Sequence, residues 1–207
     1  MKPLVAVLDY GIGNLRSAQK SLERIGADAR LTDDRGLVAD AHAVVLPGVG
    51  NFGRCMEALR EARLDDVALD AIEQGRPFLG ICVGMQMLFD ASEESPGAAG
   101  LGVIPGTVRW LPPGVKRPQM QWNVLEPARA GSLFASPDDR PWVYFLHSFH
   151  AVPDDPAVVA ATCDYGGPVV AAVERGNVAA VQFHPEKSAA AGLALLARWT
   201  ATVAVPA

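Results

Sequence analysis

Residues 80–86, Gly-Ile-Cys-Val-Gly-Met-Gln, constrain the fold more than any other stretch, because a cysteine lies there between two glycines. A strand-like apolar segment at 77–79 leads into this run, and a helical pattern at 87–89 leads out of it. A sharp strand-to-helix turn is strained and needs small residues on either side of its central residue. The run therefore predicts a nucleophile elbow. It places the sulfur of Cys82 at the end of a sheet and at the positive end of a helix, where a thiolate is stabilised.

Short apolar runs alternate with helical patterns in the first half of the chain. Residues 4–8 and 43–46 are continuously apolar, as strands buried on both faces of a sheet are, and 27–31 is a weaker third strand. Helical spacing of apolar residues fills 14–25 and roughly 52–74. Strands that alternate with helices favour an α/β fold with a mostly parallel central sheet flanked by helices.

The second half differs, since proline and glycine are frequent from 96 to 118 and helical spacing disappears there. Its short apolar segments predict a smaller antiparallel β portion, and a final helix follows at about 189–203. The predicted strands lie near residues 107–110, 122–125, 142–146, 157–162, 169–173 and 178–183. Because no repeat or long linker interrupts the chain, we expect a single domain over 1–207.

Composition excludes several classes of protein. Hydrophobic residues make up 50% of the 207, which argues against disorder, and a net charge of −5 without a basic cluster argues against nucleic-acid binding. No apolar run approaches the ~20 residues of a membrane span. The three cysteines are far apart, so they predict neither a metal site nor a disulfide framework. We expect no metal, no cofactor and a cytoplasmic location.

A candidate base follows the apolar strand at 178–183. His184 lies at the end of that strand, where α/β proteins place functional groups, and Pro185 ends the strand ladder. Glu186 is near enough to hold one imidazole nitrogen and leave the other free. Cys82, His184 and Glu186 are therefore the predicted nucleophile, base and orienting carboxylate of a catalytic triad. The structural alternatives are a buried core cysteine and a histidine with satisfied hydrogen bonds.

Acyl chemistry through a thiolate also needs hydrogen-bond donors for an oxyanion. Gly48, Val49 and Gly50 end a strand that we expect beside the elbow strand, and glycine lets backbone N–H groups approach a substrate closely. The N–H of Val83 is the second predicted donor, because it directly follows the nucleophile. The alternative is an ordinary glycine turn. The glycine spacing fits neither a Walker A loop nor a dinucleotide fingerprint.

The elbow at 80–86 and the His-Pro-Glu run at 184–186 resemble the triad, or class I, glutamine amidotransferases. Within that class, other segments are similar to the glutaminase subunits of imidazole glycerol phosphate synthase. These segments are 9–15 (Asp-Tyr-Gly-Ile-Gly-Asn-Leu), 47–53 (Pro-Gly-Val-Gly-Asn-Phe-Gly), 122–123 (Trp-Asn), 144–148 (Tyr-Phe-Leu-His-Ser) and 184–188 (His-Pro-Glu-Lys-Ser). The resemblance extends from about residue 5 to about residue 195 and implies a flavodoxin-like fold.

The resemblance implies hydrolysis of L-glutamine to glutamate and ammonia, with His184 as the base. The residues it implies in glutamine binding are Gln86, Glu94, Ser148 and Phe149. It also implies a heterodimer with a (β/α)8-barrel cyclase, which uses the ammonia to make imidazole glycerol phosphate and aminoimidazole carboxamide ribotide in histidine biosynthesis. The loop at 47–50 is the implied switch through which that partner raises activity. The residues implied at the partner interface or on the ammonia path are Asn14, Trp122, Asn123, Tyr144 and Lys187.

The sequence departs from the family pattern at two places. Gln121 stands where glycine is usual, and Phe149-His150 stands where Tyr-Arg is usual, so the hydroxyl expected at 149 is absent. Two alternatives remain open for function. The chain is a glutaminase subunit for another acceptor, in anthranilate, aminodeoxychorismate, guanylate or pyridoxal phosphate synthesis, or it is a non-catalytic binding module that keeps the pocket.

Overall fold

The computed structural model describes residues 2–129, 131–134 and 140–204. Strands and helices alternate along the first half of the chain. The elements there are β1 (Leu4–Leu8), α1 (Leu15–Arg24), β2 (Asp28–Thr32), α2 (Arg35–Asp40), β3 (Ala43–Gly48), α3 (Phe52–Glu61), α4 (Asp65–Glu73), β4 (Phe78–Cys82) and α5 (Val83–Gln86).

Short strands dominate the second half until a long helix ends it. The elements are β5 (Ala91–Ser92), β6 (Gly106–Trp110), β7 (Gln119–Val124), β8 (Glu126–Pro127), β9 (Trp142–His147), β10 (Phe149–Pro153), β11 (Val159–Asp164), β12 (Pro168–Arg175), β13 (Val178–Val181) and α6 (Ala189–Thr200). Two 3₁₀ turns, Pro156–Val158 and Pro185–Lys187, precede β11 and α6.

An eight-stranded sheet lies at the centre, in the order β2-β1-β3-β4-β13-β12-β11-β8. The first five strands pair in parallel, and the last three add antiparallel pairs. The order of the parallel strands is that of flavodoxin-like folds, in which the functional crevice lies outside the carboxyl ends of the strands. Two smaller sheets, β10-β6-β5 and the antiparallel pair β7-β9, complete the structure.

Burial of the central strands explains why they are continuously apolar in sequence. Every residue of β3, β4 and β13 is buried, as expected for strands covered on both faces. The helices that cover them are amphipathic, and α1 buries Leu15, Ala18 and Leu22 along one face. α1 packs beside α6, and α2 packs beside α4.

The predicted α/β class with a mostly parallel sheet and a smaller antiparallel portion is confirmed. The expected helix at 87–89 is wrong, because α5 ends at Gln86 and the chain then turns. The sequence reading also missed α2 and β10. α2 is only six residues long and buries Val38 alone, so it gives too little periodicity to detect.

No helix in the described parts of the chain is both long and apolar enough to cross a membrane.

Candidate active site

Cys82 is the last residue of β4 and the N-cap of α5, with φ 56° and ψ −112°. A positive φ is strained for a residue with a side chain and is typical of a nucleophile elbow. Glycine is required at 84 because a Cβ there would lie 1.8 Å from the Leu46 carbonyl oxygen. Gly48 is also crowded, since a Cβ there would lie 2.7 Å from the Gly84 nitrogen. The two glycines let the elbow pack directly against the end of β3.

The predicted triad residues come together at the carboxyl ends of β4 and β13. The His184 imidazole interacts with Cys82, and both residues line the same cavity. On its other side, Nδ1 lies 2.8 Å from Glu186 Oε1, and both side chains are only 3% exposed. This arrangement fixes the imidazole between a sulfur and a carboxylate, as a Cys-His-Glu triad requires.

The surroundings of His184 favour its protonated form. Burial lowers the pKa of His184, but the hydrogen bonds and negative charges of Cys82 and Glu186 raise it by more, so the pKa lies above its ordinary value. The site can therefore place an imidazolium beside the Cys82 sulfur. The sequence predicts that the positive end of a helix faces the sulfur. Because α5 has only four residues, the imidazolium of His184 is the stronger source of positive charge there.

Ser188 holds the backbone of His184 against β9. Its buried hydroxyl donates to the His184 carbonyl at 2.6 Å and accepts from the Tyr144 N–H at 3.0 Å. The His184 N–H in turn donates to the Tyr144 carbonyl at 2.9 Å. These three bonds fix the position of His184 relative to β9, a strand that carries none of the predicted triad residues.

Gln182 is a residue near the nucleophile that the sequence reading did not select. Its amide nitrogen lies 3.7 Å from Cys82 Sγ, and its amide oxygen accepts from Gln86 Nε2 at 2.9 Å. All three side chains are buried. An amide donor beside the sulfur favours the thiolate. The sequence feature that could have identified Gln182 is its polar side chain, two positions before His184 in an otherwise apolar run.

A cavity of about 510 Å³ opens over Cys82 and His184. Its lining includes all four predicted glutamine-binding residues, three of the predicted oxyanion residues and two of the predicted interface residues. These are Gln86, Glu94, Ser148 and Phe149, then Val49, Gly50 and Val83, then Asn14 and Lys187. The volume and the mixed polar lining suit a small polar molecule.

The predicted oxyanion loop lies beside the nucleophile because β3 and β4 are neighbours. Gly48 pairs with Cys82 in the parallel register. Val49 and Gly50 line the cavity, whereas Gly48 lies beneath it, next to Ile81 and Glu186. The expected adjacency of the two strands is confirmed.

Glu94 and Phe149 have structural contacts in addition to their place in the cavity. One Glu94 carboxylate oxygen accepts from the Phe52 N–H at 2.6 Å and so satisfies the N-terminus of α3. The Phe149 ring stacks on Trp110 with a centroid distance of 4.0 Å. This contact occupies the ring face at the position where the family usually has tyrosine.

His147 fixes the Phe149 carbonyl from within the cavity wall. Its Nδ1 lies 2.7 Å from that oxygen, which also accepts from Gln86 Nε2 at 3.1 Å. A carbonyl only accepts, so Nδ1 carries the proton. Burial lowers the pKa of His147 to about 4, which keeps the ring neutral.

An exposed apolar surface adjoins the cavity. In the β7–β9 pair, Trp122 lies opposite Tyr144, Met120 opposite Leu146 and Val124 opposite Trp142. We call Met120, Trp122, Trp142, Tyr144 and Leu146 the β7–β9 face. Met120, Trp122 and Trp142 are 62%, 44% and 58% exposed, and Leu146 also lines the cavity. The face therefore runs from open surface to the catalytic cavity.

Of the remaining predicted interface residues, Lys187 lies beside this face and Asn123 points away from it. Lys187 Nζ lies 6.0 Å from the centroid of the Tyr144 ring and also lines the cavity. Asn123 is on the other side of β7, where its amide donates to the Asp164 carbonyl at 2.8 Å. Gln121, the departure from the usual glycine, is exposed on β7.

Within residues 2–129, 131–134 and 140–204, no three His, Cys, Asp or Glu side chains are grouped so that they could hold a metal ion.

The Cys82, His184 and Glu186 side chains lie together at a strand-to-helix turn on a flavodoxin-like sheet, an arrangement that suits a thiol-dependent enzyme. Residues 6–200 match the family model of the class-I glutamine amidotransferases, so the chain belongs to that family and is a glutamine amidotransferase. Two similar proteins are each called imidazole glycerol phosphate synthase subunit HisH. The one from Syntrophotalea carbinolica is 48% identical over 93% of this chain and 97% of its own, and the one from Deinococcus radiodurans is 49% identical over 95% and 93%.

The fold also resembles that of PurLQS from Thermotoga maritima, with a TM-score of 0.73 and 20% identity over 94% of this chain and 96% of the other. At that identity the likeness concerns the fold alone.

Proposed function

We propose that this protein is the glutaminase subunit of imidazole glycerol phosphate synthase. The observation that carries the proposal is the Cys82-His184-Glu186 constellation, buried at the base of a cavity that suits glutamine. The names of the relatives at 48–49% identity support imidazole glycerol phosphate synthesis as the use of the ammonia, over the syntheses that other glutamine amidotransferases serve. An intact triad argues against a non-catalytic binding module.

The geometry supports a two-stage hydrolysis. The Cys82 thiolate attacks the side-chain amide carbon of glutamine, and the oxygen becomes an oxyanion that the N–H groups of Val49 and Val83 stabilise. The imidazolium of His184 then gives its proton to the departing nitrogen, so that ammonia leaves and a thioester remains. Water loses a proton to His184, attacks the thioester and releases glutamate, which restores the thiolate and the imidazolium.

Glu186 orients the imidazole and stabilises its charge through both stages. Gln86, Glu94, Ser148 and Phe149 surround the position of the glutamine substrate. No step requires a cofactor, and we propose that the protein acts in the cytoplasm, where its free cysteines stay reduced.

A cyclase subunit is the proposed partner, and the β7–β9 face is the proposed contact surface. Exposed tryptophans are enriched at protein interfaces, and three large apolar side chains are exposed here together. Because Leu146 belongs to both the face and the cavity wall, a partner seated on the face receives ammonia without its passing through solvent. Asn14 and Lys187, at the same wall, are the proposed residues of that exit.

Replacement of the nucleophile tests this function. With the cyclase present, Cys82→Ala is expected to abolish glutamine-dependent synthesis of imidazole glycerol phosphate, while synthesis from added ammonium salts continues. Cys163→Ala is the matched control, because it removes another buried cysteine that lies outside the cavity. Glutamine-dependent turnover by Cys82→Ala would contradict the assignment of the nucleophile. A wild-type chain that fails to support synthesis with glutamine would contradict the proposed acceptor.

A further inference from the structure

Two buried side chains outside the triad hold the loop that follows β3. The hydroxyl of Tyr10, which follows β1, donates to the Pro47 carbonyl at 2.6 Å. The thiol of Cys55, in the first turn of α3, donates to the Val49 carbonyl at 3.3 Å. Tyr10 is 5% exposed and Cys55 is 0% exposed, so water does not compete for either bond.

These two carbonyls lie on either side of a single peptide, the one between Gly48 and Val49. Peptide units are planar, and the backbone rotates only about the bonds that join them. With both flanking carbonyls fixed, rotation of the Gly48–Val49 peptide is the motion left to the loop. The N–H of that peptide belongs to Val49, which is the proposed oxyanion donor beside Cys82.

Both groups are suited to remain donors. Burial raises the pKa of the Tyr10 hydroxyl well above its ordinary value, and burial raises the pKa of the Cys55 thiol to about 11. Both therefore keep their protons at neutral pH. Neither residue lines the catalytic cavity, so their contacts are with the loop and not with the substrate.

We propose that Tyr10 and Cys55 are positioning residues that hold the two ends of the oxyanion loop and so aim the Val49 N–H at the reaction centre. The proposal rests on the function proposed above, because it requires an oxyanion at Cys82. It predicts that loss of either donor weakens stabilisation of the transition state and leaves binding of glutamine unchanged.

Tyr10→Phe and Cys55→Ala, each complexed with the cyclase and its ligand, test the proposal. We expect each to lower kcat of the glutaminase reaction by about three- to tenfold, the size of one hydrogen bond, with KM for glutamine unchanged. Cys55→Ser keeps a hydroxyl donor and is expected to recover most of the loss. Tyr165→Phe and Cys163→Ala are matched controls, because each removes a comparable donor or thiol outside the site.

Cys82 can be alkylated by iodoacetamide, and the rate can be followed by mass spectrometry of its peptide. This measurement distinguishes misplacement of the oxyanion loop from general disruption of the active site. This reaction forms no oxyanion, so its rate is expected to stay at the wild-type value in both variants. Wild-type kcat in both variants would overturn the proposal, and so would a parallel fall in kcat and in alkylation. If the wild-type complex itself does not hydrolyse glutamine, the proposed function fails before any variant is compared.

Discussion

At residue 184, a buried imidazole depends on two neighbours for its charge. Its pKa is raised because the favourable contacts with Cys82 and Glu186 exceed the cost of burial. A group whose folded pKa is raised stabilises the fold fully below its unfolded pKa, which is about 6.5 for histidine. That stabilisation is lost as the pH rises through the folded pKa.

Glu186→Gln removes the negative partner and leaves the volume nearly unchanged. We expect the free energy of unfolding to fall by about 1–3 kcal/mol at about pH 6, where the buried imidazolium loses its carboxylate. The deficit is expected to shrink as the pH rises from about 6.5 toward 10, because the unfolded imidazole is neutral above about 6.5 and the folded one loses its proton at a pKa of about 10. Urea unfolding at several pH values measures this difference. A deficit that grows with pH would contradict the assigned pairing.

The role of a single residue could be predicted where the residues next to it in the sequence indicate that role. His184 and Glu186 are two residues apart, and Cys82 lies between its glycines, so all three were found from the sequence. Gln182, Tyr10 and Cys55 were not selected. The partners of Gln182 and Tyr10 are distant along the chain, and those hydrogen bonds exist only because β1, β3, β4 and β13 are adjacent. The partner of Cys55 is only six residues away, but the two meet only because the chain turns from β3 into α3.

Among the elements, the elbow between β4 and α5 is defined by packing against β3 as much as by its own turn. Gly84→Ala would place a methyl group 1.8 Å from the Leu46 carbonyl, and a buried backbone oxygen cannot move aside cheaply. We expect a loss of about 3 kcal/mol or more in unfolding free energy, together with loss of glutaminase activity. Thermal or urea unfolding measures the first effect.

Gly36→Ala is the matched control for this substitution. It lies in α2, where the added Cβ meets only a side-chain oxygen of Asp34 at 3.1 Å. Alanine is favoured over glycine within helices by about 0.5–1 kcal/mol, so stability is expected to stay level or rise. If both glycine variants behaved alike, close contact with β3 would not explain the requirement at 84.

Strands that are buried on both faces of the sheet were predicted correctly from the sequence. Short elements were not. β1, β3 and β4 were found because continuous apolar runs are typical of central parallel strands. The helix expected at 87–89 does not form, since the chain turns there and the Met87, Phe89 and Leu88 carbonyls accept from Leu101, Gly102 and Ile104. Contacts of that range leave no local signal in the sequence.

At the scale of the whole molecule, the exposed β7–β9 face is unexpected if the subunit acts without a partner. Three large apolar side chains stay in water there, next to the cavity that holds Cys82 and His184. Trp122→Ala is expected to weaken binding of the cyclase by about tenfold or more, because buried tryptophans contribute strongly to interfaces. Calorimetric titration of the two subunits measures the change.

Arg30→Ala is the control for that measurement. Arg30 lies on β2, at the far edge of the central sheet, and its pairing with Asp28 is exposed to solvent. Its loss is expected to leave the affinity for the cyclase unchanged. An equal loss of affinity in the two variants would show that the β7–β9 face is not the contact surface.

Local patterns in the sequence were enough to predict the α/β class, the candidate triad and the glutaminase reading. These patterns are two-sided burial, small residues around a nucleophile, and a base beside its carboxylate. The residues that support this chemistry became visible only in the folded structure. Gln182 beside the sulfur, Ser188 against Tyr144 of β9 and Tyr10 on the oxyanion loop all act between segments that are distant along the chain. The physical reason is that a hydrogen bond depends on distance in space, which the order of strands in the sheet sets and residue spacing does not.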